Sequence, residues 1–151
     1  MTAFAQRTKV PCARTRQEID RLLRAWKCDG IQWTDEFTLS RVTLRFVWSR
    51  FQGPREARVS VTYQAQFRIN LSRSTTQGRQ EHRLLLLWLK AALNAVEGGI
   101  IPAELLFLPW LVGRDGQTFG EIALPRLPQL LNAPDASTLL LNHESAPAQE
   151  Q

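Results

Sequence analysis

The sequence predicts an α+β fold: a three-stranded or larger antiparallel sheet with helices on one face, in the order α-β-β-β-α. Three observations carry this. An amphipathic helical stripe comes first, two long runs of period-two alternation follow, and then comes a helix-length segment that is apolar all round. A short helix, a β-hairpin and a flexible tail are expected to complete the chain.

The first helix is expected from Thr15, where Thr15 and Glu18 have the T-x-x-E spacing of a capping box. Ile19, Leu22, Leu23 and Trp26 fall at i, i+3, i+4 and i+7 and form one apolar stripe. Asp29-Gly30 is the expected stop, with Gly30 taking the left-handed position that a helix C-terminus favours. Ile31 to Thr34 alternates as a strand, and Asp35-Glu36 reads as a turn. From Val42, alternate residues Leu44, Phe46 and Trp48 define an apolar face. Gln52-Gly53-Pro54 is a turn signal. The next alternation, Ala57 to Leu71, exceeds the usual strand length of about 3–10 residues, so a bend or bulge is expected near Ala65.

Helix two is expected from about Ser74–Gly78 to Glu97. Its apolar middle, Leu84 to Leu89, marks a helix buried on more than one side, and Gly98-Gly99 ends it. Pro102 suits the first turn of a short helix reaching Phe107. Trp110–Val112 and Gln117–Ile122 flank Gly113-Arg114-Asp115-Gly116 and read as a hairpin. The domain layout is a basic arm over 1–14, one α+β domain over 15–125, and a largely flexible tail over 126–151. Within that tail Leu139 to Leu141 is apolar enough to dock on the body or on a partner. The five tryptophans all fall on apolar faces, so core packing is their expected role.

Charge is segregated along the chain. Residues 1–98 hold 17 Lys and Arg against 8 Asp and Glu, whereas residues 99–151 hold 2 against 6. Only Lys9, Lys27 and Lys90 are lysines, and arginine's planar fork of donors suits phosphate. On the polar face of the predicted sheet, Arg41, Arg45, Arg58 and Arg68 sit among Ser, Thr, Gln and Asn with no acidic neighbour. That pattern fits either a phosphate-contacting surface or an ordinary solvated sheet face. Aromatic stacking of bases is disfavoured, because Phe46, Trp48, Tyr63 and Phe67 fall on the apolar side.

No catalytic constellation emerges, and no enzyme is expected. His82 and His143 are the only histidines. Cys12, Cys28 and His82 lack the paired short spacings of a zinc site. The glycines of Gly113 to Gly120 lack the Lys-Ser/Thr of a P-loop. No cofactor and no metal are expected. With no apolar run of membrane-spanning length and no secretory apolar segment, the expected location is cytoplasmic, with both cysteines as free thiols.

The α-β-β-β-α order is similar to that of double-stranded-RNA-binding domains over residues 15–97. Arg79, His82 and Arg83 stand where that family carries a lysine cluster, and the resemblance implies that Arg79 and Arg83 join the nucleic-acid contacts. The second half resembles a group of small uncharacterised phage and prophage proteins. The likeness is carried by Trp88-Leu89-Lys90-Ala91-Ala92-Leu93-Asn94-Ala95-Val96-Glu97-Gly98-Gly99-Ile100, Phe107-Leu108-Pro109-Trp110 and Asp115-Gly116-Gln117-Thr118-Phe119-Gly120-Glu121. It implies a mobile-element context and brings no activity with it. The expected partner is therefore nucleic acid, DNA or RNA, bound by an accessory protein. The alternative is a non-enzymatic interaction module that binds a host or phage protein. A sheet-extended homodimer through the long third strand is a further expectation.

Overall fold

A computed structural model describes residues 11–71 and 75–132. It has the predicted α+β architecture. A sheet of order β1-β2-β3, with β1 at Gly30–Glu36, β2 at Arg41–Gln52 and β3 at Val59–Asn70, is antiparallel throughout. Helices α1 (Cys12–Ala25) and α2 (Thr75–Glu97) cover one face. Short helices α3 (Ala103–Leu106), α4 (Phe119–Ala123) and α5 (Leu127–Leu131) follow.

Helix α1 begins earlier than the T-x-x-E spacing predicts. Pro11 occupies its N-cap and Thr15 lies inside the helix, buried in one stripe with Ile19 and Leu23. Glu18 instead reaches Arg83 on α2 at 2.8 Å. Residues 11–14 thus belong to the domain, and the rest of the expected basic arm lies outside the described residues. The helix ends in a Schellman arrangement, with Lys27 N–H on the Arg24 carbonyl at 2.9 Å and Cys28 N–H on that of Leu23 at 3.2 Å. The left-handed residue is Lys27 (φ 66°), not Gly30, which opens β1.

Thr15 Oγ1 is buried with no hydrogen-bond partner among the described residues. A buried, unpaired hydroxyl costs free energy that an isosteric methyl does not. Thr15→Val should therefore raise unfolding stability by about 1 kcal/mol, measured by urea denaturation. An unchanged or lower midpoint would contradict this.

Asp35 and Glu36 are strand residues, not a turn. The reversal falls on a 3₁₀ turn over Phe37–Leu39, closed by Ser40 at φ 45°. The register pairs Val42, Leu44, Phe46 and Trp48 with Ile69, Phe67, Ala65 and Tyr63, which places these residues on the helix-covered face. The pairing runs unbroken from Arg41↔Asn70 to Gln52↔Val59, so the bulge expected near Ala65 is absent. Strand β3 is shorter than expected at both ends, 12 residues from Val59 to Asn70.

Phe107, just after α3, is the hub of the core. Its ring is 0% exposed and lies 5.4–6.3 Å from those of Phe46, Trp48, Trp88, Trp26 and Phe67. All five tryptophans are in the core or pack against it.

The predicted C-terminal hairpin is reduced to one bridge, Val112↔Thr118, around a Gly113–Gly116 turn with Gly116 at φ 81°. Its second arm is a helix instead. Thr118 and Glu121 form the capping box of α4, each side chain satisfying the other's backbone N–H at 3.2 and 2.8 Å. Leu111 and Val112 meanwhile join the outer edge of β3, with Val112 N–H on the Gln64 carbonyl at 2.9 Å. After a 3₁₀ turn over Leu124–Arg126, residues expected to open the tail form α5. Leu139 to Leu141 lies outside the described residues. Among the described residues no helix is long and apolar enough to cross a membrane.

Candidate nucleic-acid interface

The register places Arg41, Arg45 and Arg68 on the uncovered face of the sheet, as the alternation predicts. That face is not free of acid, however. The uninterrupted β1 strand puts Glu36 directly across from Arg41, which grips it with Nε at 2.6 Å and Nη2 at 2.8 Å, while Thr43 Oγ1 donates at 2.9 Å. These donors hold the Glu36 carboxyl down at about 2. Arg68 pairs with Glu121, carried over the β3 edge by α4. Burial, then repulsion from Arg41, lowers the Arg68 pKa. Arg45 Nε donates to Gln66 Oε1 at 2.7 Å, and Gln66 is itself only 2% exposed. The three arginines come together, but as parts of internal pairs.

Arg79 and Arg83 lie on α2, in the layer that covers the opposite face, and Arg83 is held by Glu18. Arg58 is separated from all of these. It sits outside β3, in the loop between β2 and β3, after a 3₁₀ turn over Arg55–Ala57. The six residues expected to contact nucleic acid therefore occupy three places.

The β2–β3 end has features the sequence reading missed. Trp48 is the last buried residue of β2, and every residue from Arg50 to Ser60 is exposed. This stretch is a two-stranded ribbon standing clear of the core, with Phe51 (72% exposed) on the uncovered face and Val59 (63%) on the other. Arg50 at its base lies over the Trp26 ring at 5.7 Å and reaches Glu104 at 3.5 Å. Arg55 and Arg58 enter no ion pair among the described residues. Gly53 (φ 101°) closes the loop, and a Cβ there would stand 2.8 Å from the Ala57 carbonyl oxygen. The signal was in the sequence: the apolar face of β2 stops at Trp48, and Phe51 stands out of phase with it beside a Gly-Pro turn.

His82, dismissed from sequence for want of companions, has them in space. Its Nδ1–H donates to the Gly78 carbonyl at 2.7 Å, and its Nε2 accepts from Arg16 Nε at 3.2 Å. The same guanidinium holds Asp35 through Nη2 at 2.8 Å and Nη1 at 3.2 Å, keeping that carboxyl below its ordinary range. Trp33 stacks on the imidazole at 6.1 Å. His82 is 0% exposed and burial lowers its pKa, so the network is a neutral, fully committed brace between α1, β1 and α2.

A groove of about 770 Å³ lies over the β3 edge, walled by Leu108, Pro109, Trp110, Phe119, Leu124 and Leu127, with Gln66 and Arg68 beneath. Among the described residues no three His, Cys, Asp or Glu side chains gather as metal ligands. Compared with protein-family models, curated proteins and solved structures, the chain matches none.

Proposed function

We propose that the chain is a non-catalytic, nucleic-acid-binding accessory protein. A mobile-element setting accords with the phage and prophage proteins its second half resembles. The observation that carries the proposal is the exposed Arg50–Ser60 ribbon, with Arg55 and Arg58 at its end in no ion pair among the described residues. Free guanidinium groups on a projecting element can exchange water for phosphate without first breaking an internal ion pair. Arg41 and Arg68 would have to surrender Glu36 and Glu121. The contact set thus shifts from the middle of the sheet to its β2–β3 end, retaining Arg58.

A mobility-shift series over a salt gradient tests this. Arg55→Glu with Arg58→Glu should weaken binding at least about tenfold and flatten the log-affinity against log-salt slope by about 2. Arg45→Gln should change affinity by less than about twofold. The reverse order of effects would return the interface to the sheet face, and wild-type protein that binds no nucleic acid would remove it altogether.

The groove supports the protein-interaction alternative by a separate observation. Phe119, Leu124 and Leu127 are exposed around one concavity, and contiguous apolar surface of this kind marks binding sites. A hydrophobic dye should fluoresce on the native chain and lose most of that signal in Leu124→Glu. An equal signal from both would contradict a groove that takes apolar groups.

A further inference from the structure

We infer that the partner is B-form double-stranded DNA, entered at its major groove by the Arg50–Ser60 ribbon; this rests on the nucleic-acid reading above and narrows it. Shape is the first argument. The major groove is about 12 Å wide and 8.5 Å deep and admits a two-stranded β-ribbon. From Ser49 to Gln52 the ribbon runs about 10 Å at roughly 3.4 Å per residue, before the Gly53–Arg58 loop begins. It can therefore reach the groove floor while the core stays outside.

The chemistry of the ribbon follows the same geometry. Its tip is pre-formed, with Ala57 N–H on the Pro54 carbonyl at 2.9 Å inside the Arg55–Ala57 turn. Arg55 opens that turn and Arg58 follows it, with exposed Glu56 between them, and an arginine fork matches guanine O6 and N7 or a phosphate. Phe51 and Val59, on opposite faces, supply apolar contacts of the kind a thymine methyl accepts. At the ribbon's base, Asp29 N–H bonds the Val47 carbonyl at 2.7 Å, which sets the end of α1 with its exposed Lys27 beside the groove's rim.

The other nucleic acids fit less well. Single strands are held by successive aromatic platforms, and Phe51 is the one ring on the uncovered face of the described sheet. An RNA duplex has a major groove too narrow for side chains and is recognised across a broad, shallow minor groove. A flat basic surface would suit that, but the arginines of the flat face are committed to Glu36, Gln66 and Glu121.

Fluorescence anisotropy with the full chain and a labelled DNA duplex, its single strand, and an RNA duplex of the same sequence tests the inference. The DNA duplex should bind at least about tenfold tighter than either of the others. Methyl green in the major groove should compete, and netropsin in the minor groove should not. Equal or tighter binding of single strand or RNA duplex, or competition by netropsin, would overturn the inference while leaving nucleic-acid binding in place. Binding to none of the three would overturn both.

Discussion

Replacing Phe107 with alanine should destabilise the fold by about 3–5 kcal/mol, the largest effect of any single substitution proposed here. The residue owes this to its position. Pro102 and α3 turn the chain back onto the sheet, and Phe107 N–H bonds the Ala103 carbonyl at 2.9 Å, which fixes the ring among five others. Truncation leaves a cavity lined by large aromatic rings that cannot collapse without leaving their own contacts. Since domains are stable by about 5–15 kcal/mol, the variant should unfold at much lower denaturant. Guanidinium titration followed by tryptophan fluorescence measures this, and a loss below about 1 kcal/mol would contradict the core arrangement.

The second large effect is expected at His82. Both ring nitrogens are engaged, Nδ1–H as donor to Gly78 and Nε2 as acceptor from Arg16, so a further proton would set two donors face to face. Burial lowers the folded pKa from its ordinary 6.5, and nearby Arg16 lowers it further, against the opposing pull of the Gly78 carbonyl and Asp35. The unfolded chain therefore takes up the proton first. The stability contribution is complete above 6.5 and declines as pH falls from there towards the lowered folded value. Glu36 adds a separate loss at lower pH: its contribution is complete above its ordinary 4.5 and disappears as pH falls towards about 2. His82→Phe keeps the stack on Trp33 but removes the titration. It should cost about 1–3 kcal/mol at neutral pH and flatten the stability profile between pH 7 and the carboxylate range. Denaturation midpoints across pH check both parts, and an unchanged slope below 6.5 would contradict them.

Much of the fold was legible because it rests on local pattern. The alternation in β2 and β3, the α1 stripe and the apolar run of α2 each name their element without reference to the rest. The errors have physical causes. The T-x-x-E motif occurs at Thr15 and at Thr118, and only the second caps a helix, because Pro11 had already started α1. Asp35-Glu36 reads as a turn from composition, yet pairing with Val42 and Arg41 extends β1 through both residues. This difference brings Glu36 onto a face that the sequence reads as acid-free, where it pairs with Arg41. Pairings such as Glu121 with Arg68 and Arg16 with His82 join distant segments, and no spacing rule reaches that far. The projecting ribbon did leave a trace, since the apolar alternation of β2 stops at Trp48 and gives way to Arg50 and Gln52 on the same face.

The most direct test of the proposed nucleic-acid contact is a two-dimensional amide NMR titration of the full chain with a short DNA duplex. Chemical-shift changes should concentrate between Arg50 and Ser60 and at the α1 end near Lys27, leaving Gln66 and Thr43 unmoved. Changes centred on Arg41, Arg45 and Arg68, or around Phe119 and Leu124, or no changes at saturating duplex, would contradict the ribbon as the interface.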